Sequence, residues 1–311
     1  MIFQSSMILI QQIVLLFILI GVGFLAGHFQ LADEKGARQM TDLVLYIFTP
    51  ALIFTSFQVS YDPRLALNML IAGLLAFLTV VLGVLFSKLL FRHEADERQR
   101  VLTFSTTFFN AGFFMLPLLR AVLGDIAVIY GSIFVSVFNV LLWTYGVRLM
   151  DHTDSKTSLK SLLNPSLIAV ALGALFFALN WQVPALIESS LSTLAKVQSP
   201  LAMMVIGVQF YGYRENFRSI DGGVWKTFLG RNLLVPLVIL PLAYLLTKDA
   251  VLFIACVLSA ASPTAANAVL FATKYRRDVN LAIKTVMLTT LLEIVTLPLI
   301  MWLATQLLNP F

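Results

Sequence analysis

The chain has 311 residues, 59% of them hydrophobic and 12% charged, with a mean hydropathy of +0.90; so much apolar surface exceeds what one soluble core can hide and places the chain in lipid. The formal net charge of +5 does not argue for a nucleic-acid partner, because in a membrane protein the placement of basic residues says more than their sum. With Cys256 the single cysteine, neither an intramolecular disulfide nor a cysteine-rich metal site can form.

A helix rising about 1.5 Å per residue needs about 20 apolar residues to cross roughly 30 Å of hydrocarbon. Ten stretches fit: 7–28, 37–58, 65–90, 99–122, 126–148, 160–180, 186–211, 223–246, 250–273 and 279–307. Residues 7–28 read as a first span rather than a cleaved signal. No basic residue precedes them, the apolar run is too long, and no small-residue cleavage site follows. The connections after spans one, three, five, seven and nine hold fifteen of the 21 basic residues, among them Arg38, Arg98, Arg148, Lys156, Lys160, Arg214, Arg218 and Arg277. The opposite face has Arg64, Arg120 and Lys248. The crowded face is therefore expected in the cytoplasm, with both termini outside, as an even number of spans requires.

Shifting the chain by 150 residues lays Pro50, in span two, on Pro200, in span seven, each preceded by a hydroxyl residue, Thr49 and Ser199; Gly23 falls on Gly173. Five spans on each side of residue 150 give two five-helix halves, 1–150 and 151–311, and an odd count inserts the second with opposite orientation. Inverted repeats of this kind recur in secondary transporters. The expected fold is an all-α polytopic membrane protein of ten transmembrane helices, arranged as two inverted five-helix repeats.

The equivalent spans four and nine carry breaks. Span four contains Asn110-Ala-Gly-Phe-Phe-Met-Leu-Pro117, with Gly112 suited to close backbone approach, and span nine contains Ser259-Ala-Ala-Ser-Pro263-Thr-Ala-Ala-Asn267. Proline lacks an N–H and clashes with the preceding turn, so each span is expected to open near mid-membrane. Where it resumes as a half-helix, free N–H groups and the positive dipole end would seat a carboxylate, with Asn110 and Asn267 adding polar side chains. Simple kinking of packed helices is the alternative, and for Pro50 and Pro200 the two readings stay open.

The runs Leu43-Val-Leu-Tyr-Ile-Phe-Thr-Pro-Ala-Leu-Ile-Phe, Asn110-Ala-Gly-Phe-Phe-Met-Leu-Pro, Phe134-Val-Ser-Val-Phe-Asn-Val-Leu-Leu-Trp-Thr-Tyr-Gly, Leu163-Asn-Pro-Ser-Leu-Ile-Ala and Ser262-Pro-Thr-Ala-Ala-Asn resemble the auxin efflux carrier family of permeases. The resemblance covers nearly the whole chain. It implies a ten-span carrier whose spans four and nine cross at the substrate site, with spans one, two, six and seven as scaffold and a homodimer as assembly. It also implies a small organic anion as substrate, auxin in plant members and malate or malonate in bacterial relatives. The loop between spans five and six is only about a dozen residues, which resembles the compact bacterial form in the cytoplasmic membrane.

Charges inside spans need a reason, since each costs on the order of 2.5–3.5 kcal/mol at the bilayer centre. Glu293 lies roughly 22 Å deep in span ten at the standard helical rise. Lys284, nine residues earlier, faces the opposite side of the helix, so Glu293 is either neutral, paired with another span, or wetted by a cavity. It is a candidate for proton coupling. Lys196 and Arg231 could supply positive potential toward an anion, yet both are about two turns from a span end, where a long side chain can snorkel to the interface; snorkelling is the favoured reading for Arg231 and Lys284. Asn139 could face the crossing or bond to a neighbouring helix.

An intramembrane enzyme is disfavoured. His28, His93 and His152 fall at span ends or in loops, and neither Gly-x-Ser-x-Gly nor His-Glu-x-x-His occurs. A channel would need a continuous pore. No cofactor is expected beyond a coupling ion, H+ or Na+. A sodium-coupled symporter would use oxygens such as those of Asn110, Ser262, Thr264 and Asn267.

Overall fold

The computed structural model describes residues 2–151, 165–215 and 220–308; Lys156, Lys160, His152 and Arg218 of the basic loops lie outside them. Twelve helices carry the described residues. They are α1 (Ile2–His28), α2 (34–56), α3 (Pro63–Leu90), α4 (Asp96–Thr107), α5 (111–123) and α6 (Asp125–Met150), then α7 (Pro165–Ala178), α8 (Ala185–Gly212), α9 (Gly222–Leu246), α10 (Ala250–Ala261), α11 (Asn267–Lys274) and α12 (Val279–Leu308). Among the described residues the only β-type pairing is an isolated antiparallel bridge between Phe109 and Thr264. Five helices, α3, α6, α8, α9 and α12, are long and apolar enough to cross a membrane. Shorter apolar stretches are Val14–His28 within α1, Gly112–Leu123, Pro165–Ala178 and Ala250–Ala261.

Local sequence explains the helix starts. Aspartates 33, 62, 221 and 249 each stand before a helix in extended backbone and accept hydrogen bonds from its first N–H groups, satisfying donors that the helix cannot. Asp221 also receives Arg98, at 2.8 Å. Burial alone would push its carboxyl pKa up, but the Arg98 hydrogen bond and the N–H groups of Val224 and Gly223 outweigh that and hold it below 3.8. Arg277 bonds Glu97 at 2.7 Å and the Met150 carbonyl at 2.8 Å. These contacts tie together the end of the molecule where the basic residues gather.

Pro117 does not itself open its helix, and two other prolines share its setting. Pro50, Pro117 and Pro236 each stand at the first or second position of an α-helical stretch that directly follows a π-turn, over Val44–Phe48, Ala111–Met115 and Leu229–Leu234. A widened turn removes the carbonyl that the proline ring would strike, so the helix continues instead of opening. Pro117 therefore sits inside α5, seven residues beyond the break. Pro200 lies within the unbroken α8 and is exposed.

Two groups of helices form. In one, α1 packs along α8 and α2 packs against α7 and α8. The α1–α8 contact is backbone to backbone: a Cβ on Gly207 would stand 2.0 Å from the Ile20 carbonyl oxygen, and one on Gly23 would stand 2.1 Å from that of Met204. Only glycine permits this approach. In the other group, α3, α4, α6, α9, α10 and α12 enclose the breaks. Leu67, Leu70, Leu74 and Phe77 of α3 and Ile168, Leu172 and Leu175 of α7 face outward, as helices bathed in lipid present apolar side chains.

Candidate substrate site at the crossing of two broken helices

Helix α4 ends at Thr107 and α5 resumes at 111; α10 ends at Ala261 and α11 resumes at Asn267. The two interruptions cross as a short antiparallel ladder. The Asn110 N–H donates to the Pro263 carbonyl at 2.8 Å, and the Ala265 N–H donates to the Phe108 carbonyl at 3.0 Å. Backbone groups that proline and extended geometry free from one helix are thus satisfied by the other, which buried backbone requires. Two helix C-termini and two helix N-termini meet within a few residues.

The predicted site residues divide around this ladder. Asn110, 5% exposed, caps α5: its side-chain oxygen accepts from the Phe113 N–H at 3.3 Å and its carbonyl accepts from Phe114 and Met115. Pro263 and Ser262 are buried in the extended segment, and Asn267, half-buried, opens α11. Thr264 is fixed on three sides: its hydroxyl donates to the Ser105 carbonyl at 2.8 Å, its N–H donates to Thr289 Oγ1 at 3.1 Å, and its backbone pairs with Phe109. Asn139 is half-buried beside Phe138, whose ring packs on Phe108 and Phe109. Gly112 offers its carbonyl to Gln198 Nε2 at 3.0 Å, and Gln198 also reaches Thr49 Oγ1 at 3.5 Å. That contact links Pro50's neighbour, α8 and the start of α5. Lys196 stands on the exposed face of α8 and is not brought to the crossing.

Arg231 departs from its favoured reading. Instead of snorkelling, it is fully buried. Its Nη1 donates to the Thr106 carbonyl at 3.4 Å and its Nη2 donates to the Ala260 carbonyl, while the guanidinium lies 5.3 Å from the Phe109 ring centroid. The π-turn over Leu229–Leu234 places both Arg231 and its neighbour Asn232 inside. Asn232 Nδ2 donates to Glu293 Oε2 at 2.5 Å and to the Thr289 carbonyl at 3.0 Å. Glu293 is fully buried in α12. Among the described residues its closest polar contact is thus with Asn232 of another helix, α9. Lys284 is half-buried, close to the basic end of α12.

Buried polar atoms without a hydrogen-bond partner gather here. They include Thr106 Oγ1, Thr107 Oγ1, Ser259 Oγ, Ser262 Oγ, Arg231 Nε and Glu293 Oε1. Such atoms are rare in folded proteins. The surface cavities lie elsewhere: one of about 830 Å³ lies between the ends of α1 and α8 and the start of α2, and one of about 380 Å³ is bounded by Phe17, Phe24, Phe210, Arg214 and Met287.

Asn232 and Gln198 were not singled out from sequence. Their signals were available: an Arg-Asn pair four residues before a proline in an apolar span, and a glutamine two residues before Pro200.

The sequence pattern of the family described as membrane transport protein matches residues 8–158 and 152–301. An uncharacterized transporter of Methanothermobacter thermautotrophicus is 26% identical over 309 residues, covering 96% of this chain and 98% of the relative. An uncharacterized transporter of Methanocaldococcus jannaschii is 25% identical over 312 residues, covering 95% of this chain and 99% of the relative.

Proposed function

This chain belongs to the auxin efflux carrier family of membrane transport proteins, and from that premise we propose that it is a secondary active carrier of small organic anions, working by alternating access at the crossing. The observation that carries the reading is the ladder of Asn110 with Pro263 and of Phe108 with Ala265. It aims the N-termini of α5 and α11 at one point, and each terminus carries about half a positive elementary charge. A carboxylate suits that point, with Asn110 and Asn267 beside it. In this reading the α4–α5 and α10–α11 pairs are spans four and nine of two inverted halves, 1–150 and 151–311, and the chain crosses the membrane ten times with both termini outside. A pattern of contacts supports the inversion: α1 packs on α8 while α7 packs on α2, as expected when spans one and six, and two and seven, are equivalent.

In this reading one helix group moves against the other to expose the crossing to each side in turn, which distinguishes a carrier from a pore. The protein is expected in the bacterial cytoplasmic membrane as a homodimer. A sodium-coupled symport is the second reading, favoured by the unpartnered, buried Ser262 hydroxyl beside the ladder.

The test is uptake of labelled malate, malonate and indole acetate into proteoliposomes under imposed proton and sodium gradients. Saturable, gradient-driven uptake of at least one anion is expected, falling by about tenfold or more in Asn110→Ala, which loses a polar partner for a charged ligand. Pro263→Ala, which lets α10 continue through the break, is expected to do the same. Linear, gradient-indifferent flux, or full activity in both variants, contradicts the reading.

A further inference from the structure

The C-terminal ends of α4 and α10 converge on one side chain. The carbonyls of Thr106 and Ala260 belong to the last turns of their helices, where no intrahelical N–H is available to them. Each such end carries about half a negative elementary charge, so two together approach one full charge. Both carbonyls accept from the guanidinium of Arg231, which is wholly buried and held over the Phe109 ring. Around it lie hydroxyls without hydrogen-bond partners, those of Thr106, Ser259 and Ser262. Carbonyl and hydroxyl oxygens at converging helix ends are the donor set that a hard monovalent cation takes in a transporter. Here the cation is covalently attached.

The approach is built for this. A Cβ on Gly230 would stand 2.9 Å from the Thr106 side chain, so glycine lets α9 press against the end of α4, and the π-turn then turns the next residue, Arg231, into the gap. A planar fork spans two carbonyls on different helices, which a lysine ammonium does less well. The charge also matches in number, one guanidinium for two half-charges.

We propose that Arg231 is the resident cation of the crossing, holding between the two helix C-termini the place that a sodium ion would hold, so that the carrier moves its anion without sodium. This rests on the crossing being the substrate site and decides between the two coupling readings of that site. Removing the guanidinium while keeping the oxygens would create a sodium site.

The experiment compares melting temperatures of the purified full chain in detergent, in sodium chloride and in choline chloride on the order of 0.1 M, for the wild type, R231Q and R231K. A cation that binds only the folded state raises its melting temperature. The wild type and R231K are expected to melt alike in the two salts, and R231Q to melt at least about 3 °C higher in sodium. A sodium-dependent rise in the wild type, or a folded R231Q indifferent to sodium, overturns the proposal. Should R231Q fail to fold, the wild type and R231K decide: sodium stabilisation of either overturns the proposal, and its absence in both supports it. Failure here is separable from failure of the substrate site. A sodium-stabilised wild type whose uptake is still lost in Asn110→Ala would keep the crossing as the site and remove only the role of Arg231.

Discussion

Gly207→Ala is expected to abolish most of the folded protein. The new Cβ would lie 2.0 Å from the Ile20 carbonyl oxygen and 2.6 Å from the Phe24 nitrogen. Both are backbone atoms of α1, so no rotamer change relieves the overlap and the two helices must separate along their contact. Close packing transmits such a shift rather than absorbing it. The cost is expected to exceed about 4 kcal/mol, in the range reserved for named core defects. Gly21→Ala, on the partner helix α1, is the control. Its Cβ would meet nothing within 4 Å, and it should change stability by no more than about 0.5 kcal/mol. Thermal or denaturant unfolding in detergent measures both, and equal behaviour of the two variants would disprove the backbone contact between α1 and α8.

The second large effect concerns the buried pair behind the crossing. Asn232→Leu removes the donor 2.5 Å from Glu293 Oε2 and the donor to the Thr289 carbonyl, and both Asn232 and Glu293 are fully buried. Glu293 Oε1 already lacks a partner, so this change leaves the carboxyl with only the long Thr296 contact of 3.5 Å. Leaving a buried acceptor without its donor costs about 1–3 kcal/mol, and more where the acceptor is charged. The double variant Asn232→Leu/Glu293→Leu removes the orphaned group together with its donor, and apolar replacement of a whole buried polar set is often nearly neutral. The double change should therefore be less damaging than the sum of the singles by about 1–3 kcal/mol. Simple additivity would mean that the two side chains do not act as a unit.

Membrane character, both breaks and the family motifs were legible in the sequence because each depends on local properties: run lengths of apolar residues, and proline beside asparagine in otherwise apolar stretches. What failed to show was three-dimensional. Whether Arg231 snorkels or turns inward depends on a π-turn that adds one residue to a helical repeat, and no periodicity argument anticipates where the turn widens. The same insertion accommodates Pro117, which the sequence alone marks as a breaker, and Pro50, for which the sequence leaves break and kink open. Lys196 and Arg231 look equivalent as lone basic residues about two turns from a span end. One stands on an outer face and the other between two helix C-termini, a difference set by which helices pack on either side. Asn232 is not legible as a site residue, because an asparagine next to an arginine reads as part of the same polar punctuation and its partner lies 61 residues away.

The central claim is that the crossing is where the anion binds and that it opens in turn to each side. Gly112 allows a direct test, since a Cβ there would meet nothing within 4 Å and the carbonyl that receives Gln198 is retained in any variant. In a Cys256→Ala background, which removes the only native thiol, Gly112→Cys in proteoliposomes would be exposed to a membrane-impermeant thiosulfonate from one side or the other. The account predicts modification from both sides, slowed severalfold by whichever anion the same vesicles take up. Modification from a single side, at a rate that the transported anion leaves unchanged, would contradict it.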